Sequence, residues 1–502
     1  MADAQVTLEP APAVDATETS PTPYRLQYTE SSAGLNDPRF ENGRTILKFA
    51  DLNLDGFKDI VTVGDHGSPF INTNMHGITV WFGDGGNTWT PSQTGIFGYG
   101  GVAIGDVNSD GLPDVGWGVH HDYGSNGFGD RVMGVALGDG TGRNWTPWDT
   151  GLGQDGQSWG MFATEFADVD VDGDLDIASV AFGCCDGFHV YLNNEDGTWT
   201  RSFGWLNGNS SMELAAGDVN NDGWIDFAVS HGNGAIWIND RAGGFTRNDT
   251  NLPLTPNFGL LGLDLGDVNG DGHDDLSFAS RDGGVEMWVW DPATETWVDG
   301  GAGLPDTGVY SVTRLVDMNF DGLRDYVAFG SGRLVIWLND GGGTWVPEAT
   351  FTVGASAPYE GFAVADVDRS GRPDILILSE QGGFFSSRNK LQFFRESATP
   401  SRLAIAVTDP TPNRVLQRGR VTMINWNTAV PSDSETSTVK IELSLDGQNG
   451  PWIELASGLL DNGTHQFVVD APRASDNVWI RAEVESSSGN TARAIHGPLE
   501  IR

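Results

Sequence analysis

The chain has 502 residues with 28 basic and 69 acidic side chains, a net charge of -41. Such acidity excludes nucleic acid, whose binders carry basic patches, and argues against anionic membrane surfaces. The length exceeds one ordinary domain and points to two units, or to one repeat array with an appendage. No apolar run is long enough to cross a bilayer, so no direct membrane insertion is predicted.

From the N-terminus, Met1-Ala2-Asp3-Ala4-Gln5 lacks the basic and apolar segments of a secretion signal, and reads as a mature start preceded by an added Met. Residues 1–22, rich in Pro, Ala, Thr and acids, read as a disordered tether. A nine-residue stretch then recurs seven times, starting at Asp51, Asp106, Asp168, Asp218, Asp267, Asp317 and Asp366. Each copy has oxygen-bearing side chains at positions 1, 3 and 5, Gly at 6 and Asp at 9. Hard divalent cations demand this convergence of oxygens, and a sharp turn demands the Gly. A single copy would be an ordinary acidic turn. Seven in register, holding 22 Asp at positions 1, 3, 5 and 9, predict calcium. Without metal these carboxylates would repel, so folding and cation binding are predicted to be coupled.

Successive copies start 55, 62, 50, 49, 50 and 49 residues apart. A period near fifty, with short alternating strands and Gly-rich turns, predicts a propeller rather than a helical solenoid. Each period reads as four strands, A to D. One enters the acidic turn (Gly101–Gly105) and one leaves it (Asp226–Ser230). A third alternates large residues (Leu334–Leu338), and a fourth carries Trp-Thr (Gly197–Thr200). The seventh period lacks its D strand, and residues 24–29 are predicted to supply it, closing the ring and removing an exposed sheet edge. The repeat stops near residue 401. Residues 402–502 show short alternating strands without a cysteine pair, which predicts an immunoglobulin- or fibronectin-like β-sandwich without its disulfide. The predicted fold class is therefore all-β: a seven-bladed propeller over 23–398 plus a C-terminal sandwich over 402–502.

These turns resemble the FG-GAP (VCBS) repeat family, which includes the head propeller of integrin α subunits. The resemblance covers roughly residues 24–396. It implies a seven-bladed propeller, up to seven structural calcium ions in the A–B turns, an extracellular or cell-surface setting, and use as a binding or adhesion surface. The implied side-chain ligands in the first turn are Asp51, Asn53, Asp55 and Asp59, and in the second Asp106, Asn108, Asp110 and Asp114. The third would use Asp168, Asp170, Asp172 and Asp176, and the fourth Asp218, Asn220, Asp222 and Asp226. The fifth would use Asp267, Asn269, Asp271 and Asp275, and the sixth Asp317, Asn319, Asp321 and Asp325. The seventh would use Asp366, Asp368 and Asp374, with Ser370 in place of an Asp, and is expected to be the weakest. Position 7 would add a backbone carbonyl. An EF-hand does not fit, because position 12 falls inside a strand instead of carrying Glu.

Irregularity concentrates in the B–C and D–A loops, on the face opposite the acidic turns. The first two B–C loops are long and hold His66, His76, His120, His121, Asp122, Tyr123 and Arg131; the adjacent Cys184 and Cys185 lie in the third. That pair cannot staple the fold, and a vicinal disulfide, free thiols and redox use all remain open. Tyr99, Trp159, Phe258, Tyr310 and Tyr359 precede A strands and are expected to ring the central funnel. Together with the first two B–C loops they form the candidate ligand face, for a protein or a glycan. Filling of the narrow axis by the aromatics is the plain alternative. Among the other His-rich possibilities, a transition-metal site has no supporting ligand spacing. The alternative functional class is a polysaccharide lyase or hydrolase using His120, His121, Tyr123 and Arg131; a structural matrix component is the third. Trp89, Trp145, Trp199 and Trp345 recur with the repeat and are expected to pack between blades. Oligomeric state is not legible.

Overall fold

The computed structural model describes residues 26–35, 39–40, 46–63, 78–85, 88–92, 96–97, 100–119, 133–153, 161–181, 187–205, 213–230, 236–253, 262–279, 283–330, 332–353, 361–380, 389–397, 399–432 and 435–502. Every regular element among them is a strand. Seven four-stranded antiparallel sheets follow the fifty-residue period. Their A strands are Lys48–Ala50, Gly100–Gly105, Met161–Ala167, Leu214–Gly217, Leu263–Gly266, Val312–Val316 and Phe362–Ala365. Each neighbours the next, and the last neighbours the first, so the sheets are seven blades around an axis.

The ring closes as the seventh period requires. Tyr28–Glu30 pairs antiparallel with Asn389–Glu396, with Tyr28 opposite Glu396 and Glu30 opposite Phe394. Leu26 is buried beside Val327, Phe329 and Phe394, so the N-terminal segment enters the core between the sixth and seventh blades. The alternating apolar residues pack between blades rather than within one centre. Trp81, Trp89 and Phe393 share one such layer, with Trp89 meeting Phe393 edge-on at 5.1 Å.

The recurring D-strand Trp residues stitch neighbouring blades. The indole N–H groups of Trp199, Trp297 and Trp345 donate to the carbonyls of Trp148, Asn248 and Gly300, each in the preceding blade. A second stitch was hidden in the sequence. Asn193, Asn239 and Asn339, at the ends of C strands, donate to the carbonyls of Val107, Val169 and Val268, again one blade back, at 2.7–2.8 Å.

The C-terminal part is a two-sheet sandwich. Ala404–Asp409, Val421–Ala429 and Thr464–Val468 form one sheet; Val415–Leu416, Thr491–Ile501, Ser475–Ser486, Ser437–Ser444 and Ile453–Leu460 form the other. Ile405, Ile424 and Trp426 from the first meet Val439, Ile441, Ile480 and Val484 from the second in one core. The sandwich sits directly on the acidic-turn face. Three repeat positions, each eighth in its turn, hold charged residues that reach it. Lys58 donates to the Asn462 carbonyl, Asp274 pairs with Arg414, and Arg324 pairs with Asp409. In the other turns that position is apolar or Pro: Pro113, Leu175, Ile225 and Pro373. In the seventh turn Arg369 instead donates to Ser437 Oγ (3.2 Å) and the Glu435 carbonyl (3.1 Å).

Candidate functional site

The seven turns share one hydrogen-bond scheme. Asp at position 1 gathers the backbone N–H groups of the turn: Asp51 takes those of Asp55 and Gly56, and Asp366 those of Ser370 and Gly371. Asp at position 9 fastens the turn to the sheet. One oxygen accepts the N–H of position 2 and the other an N–H at the end of strand C. Asp59, for example, bonds Leu52 and Gly83, and Asp176 bonds Val169 and Asn193, at 2.9–3.0 Å. The same pairing holds at Asp114, Asp226, Asp275, Asp325 and Asp374. Each carboxylate oxygen retains a lone pair for a further partner.

The backbone is bent twice in every turn. Gly at position 6 takes φ of 82–99°. Position 4 is left-handed as well, although it is Leu54, Ser109, Val171, Asn221, Gly270, Phe320 and Arg369 in the successive turns, with φ of 51–75°. A non-glycine residue there costs about 1–2 kcal/mol, and the β-branched Val171 is the most strained type. The position-1 and position-9 carboxylates hold the turn in this shape through the backbone N–H groups they accept.

Electrostatics set the same demand. Burial pushes the carboxyls of Asp59 and Asp114 up to about 7 and that of Asp325 to about 8, opposed only partly by their backbone hydrogen bonds. Burial raises Asp176, Asp226, Asp275 and Asp374 well above the ordinary carboxylate range too. Such groups need a proton or a cation.

At position 3 the turns diverge. Asn53, Asn108, Asn269 and Asn319 donate to the position-5 carboxylates Asp55, Asp110, Asp271 and Asp321 at 2.8–3.0 Å. In the third and fourth turns the position-3 oxygens, Asp170 Oδ1 and Asn220 Oδ1, are buried without a hydrogen-bond partner. Single oxygens of Asp168, Asp170 and Asp176 lie within 4.8 Å of one another, as do those of Asp366, Asp368 and Asp374. Orphaned buried oxygens beside converging carboxylates fit a hard divalent cation. Asp168, Asp170, Asp172 and Asp176 would hold it in the third turn, and Asp218, Asn220, Asp222 and Asp226 in the fourth. A bound cation supplies neutralisation and leaves the backbone geometry to the Asp scheme.

Protein cations already stand beside some turns. Arg395 pairs with Asp368, and Lys58 lies near Asp366. Arg241 pairs with Asp222 at 2.6 Å. In the seventh turn Ser370 Oγ donates to the Arg372 carbonyl at 3.1 Å, turning its hydrogen back into its own turn.

Of the predicted ligand face, Tyr99, His120, His121, Asp122, Tyr123, Trp159, Phe258 and Tyr359 lie outside the described residues, as do Cys184 and Cys185. Tyr310 packs on Trp337 at 6.2 Å, close to Val285 and Met287. Charge, which the sequence reading missed, lines the described part of the axis. Lys48 in the first blade pairs with Glu165 in the third, and Arg314 in the sixth reaches Glu213 at the head of the fourth. Pairs between non-adjacent blades meet only across the axis. Lys48, Glu165 and Arg314 all stand three residues before a turn's first Asp, a position that is Ala in three other blades. That interruption of Ala by charge was the available signal.

The molecule is thus an all-β propeller of acidic-turn repeats, roofed on its turn face by a sandwich. A family model for FG-GAP-like repeats matches residues 48–117, 168–229, 218–278 and 317–377, and all seven turns fall inside those segments. The chain carries FG-GAP-like repeats. Among solved structures it is similar to an Agrocybe aegerita lectin described as specifically recognising non-reducing terminal N-acetylglucosamine. The two share 21% identity over 62% of this chain and 81% of that one, with a TM-score of 0.43. No curated protein matches the sequence.

Proposed function

We propose that this is a calcium-stabilised, extracellular binding protein that recognises a protein or glycan through the propeller face opposite the acidic turns. The observation that carries this reading is the position of the sandwich. It occupies the acidic-turn face, where the Val421 backbone N–H and the Asn462 and Gln466 side chains hydrogen-bond the turns themselves. A large partner is left with the opposite face, which carries the irregular B–C and D–A loops. Repeated, equivalent carboxylate turns support a structural use of the metal, since catalysis employs one exceptional site. The sandwich in this reading is a fixed roof on the propeller rather than a spacer.

The test is an array of glycans and candidate proteins probed with the full chain, followed by charge reversal of Asp122 and Asp130 and deletion of residues 67–75. Binding should disappear while circular dichroism and calcium stoichiometry stay unchanged. A ligand that binds all three variants as well as the parent would place recognition elsewhere.

A further inference from the structure

The sandwich does not grip all turns in the same way. On the first three it uses neutral donors aimed at position 1. Asn462 Nδ2 donates to Asp51 Oδ2 at 3.3 Å. Gln466 brackets Asp106, accepting its N–H at 3.1 Å and donating to its carbonyl at 2.8 Å. The Val421 N–H donates to Asp168 Oδ2 at 2.8 Å. On the fourth and fifth turns it brings buried guanidinium groups. Arg414 donates to the Asp218 carbonyl (3.0 Å) and pairs with Asp274, and Arg420 donates to the Gly223 carbonyl at 2.6 Å. Asn413 adds a bond to the Gly270 carbonyl at 2.7 Å. One end of the sandwich therefore carries an ion pair into the turns, Arg414 with Asp274, whereas at the first three turns its direct contacts are neutral and the nearest guanidinium, Arg420, acts on Asp168 only through its field.

We infer that seating of the Val421–Ala429 and Thr464–Val468 strands is linked to cation occupancy of the first three turns, while the Arg414 end stays docked without it. This rests on the calcium reading above. The logic is charge matching. Asp51, Asp106 and Asp168 are position-1 carboxylates whose neighbours at positions 5 and 9 repel them unless a cation intervenes. With that repulsion neutralised, the Asp51 and Asp168 carboxylates and the Asp106 backbone stay in reach of the neutral partners the sandwich offers them. Linkage is reciprocal, so the seated strands must also tighten the cation.

Two measurements on the full chain test this. The first is amide hydrogen exchange with saturating calcium and with chelator. The Val421 amide and those of Thr464–Val468 should exchange at least about 5-fold faster after chelation, whereas the Val415 amide, bonded to Asn221 Oδ1 at 2.7 Å, changes little. If chelation unfolds the chain outright, the same amides are followed at partial saturation, where Val421 protection must track occupancy. The second is calorimetric calcium titration of an Asn462→Ala/Gln466→Ala variant, which should keep its stoichiometry and lose about 5-fold in affinity at two sites. Uniform exchange across both ends, or unaltered affinity in the variant, overturns the linkage. A parent chain that takes up no calcium in the titration overturns the calcium reading itself, a distinct result.

Discussion

The third and seventh turns have the same spacing and nearly the same geometry, with three carboxylates converging within 4.8 Å in each. What stands beside those carboxylates differs. The seventh has Arg395 on Asp368, Lys58 near Asp366 and Ser370 in place of a fourth acid. The third has four acids at the ligand positions and a fifth, Asp174, at position 7, its carboxyl pushed by burial up to about 8. Among the described residues no Lys or Arg ion-pairs with any of them, and Asp170 Oδ1 is buried without a hydrogen-bond partner. One repeat thus meets the same buried charge with a fixed side chain in the seventh turn, and on the proposed calcium reading with a diffusible ion in the third. The first is always present; the second makes stability depend on solution conditions.

The largest expected effect comes from removing the ion everywhere. At calcium about 100-fold above Kd each occupied site adds about 2.7 kcal/mol, so chelation should lower the melting temperature more than any single substitution. Scanning calorimetry with and without chelator reads this, and an unchanged transition would break the comparison at its root. Next in size are substitutions that separate the two turns. Asp368→Ala strands the Arg395 guanidinium and should cost about 3 kcal/mol with calcium stoichiometry unchanged. Asp170→Ala should instead remove one ion from the stoichiometry. Equal behaviour of the two variants in calcium titration would erase the distinction between the two turns.

A pH series sharpens it further. Asp59 and Asp114 titrate at about 7 in the folded chain, against about 4 when unfolded. Groups raised in this way contribute stability that is full below pH about 4 and is lost as pH rises through about 7. The metal-free protein should therefore be more stable near pH 5 than near pH 8, and saturating calcium should flatten that slope in denaturant unfolding. The smallest expected effect is Arg241→Ala. Its side chain is 55% exposed, so its pairing with Asp222 should contribute under about 1 kcal/mol.

Much of this architecture was legible because it is repeated. The acidic turns announced themselves through seven copies of Asp and Gly at fixed offsets. The missing D strand after Asn389–Glu396 and the spare strand-like stretch near Tyr28 identified each other. The Asn residues at C-strand ends were not legible as blade-to-blade clamps, since a polar residue ending a strand also reads as an ordinary turn former. The axial charges were hidden because Lys48, Glu165, Glu213 and Arg314 lie far apart in sequence and pair only once non-adjacent blades face one another. In the sequence Lys58, Asp274 and Arg324 are single charges inside turns that are already rich in acids. Their common eighth position acquires meaning only when a second domain stands over it.

By itself, then, the sequence determined the strand period, the number of acidic turns and the sandwich that follows them, because these depend on residues near one another in the chain. It could not determine where the sandwich docks or which carboxylates keep a protein cation. Those outcomes rest on Arg414 reaching Asp274, 140 residues away, and on Val421 reaching Asp168, 253 residues away. Separations of that size leave no periodic trace, and only the closed ring brings such groups within hydrogen-bond distance.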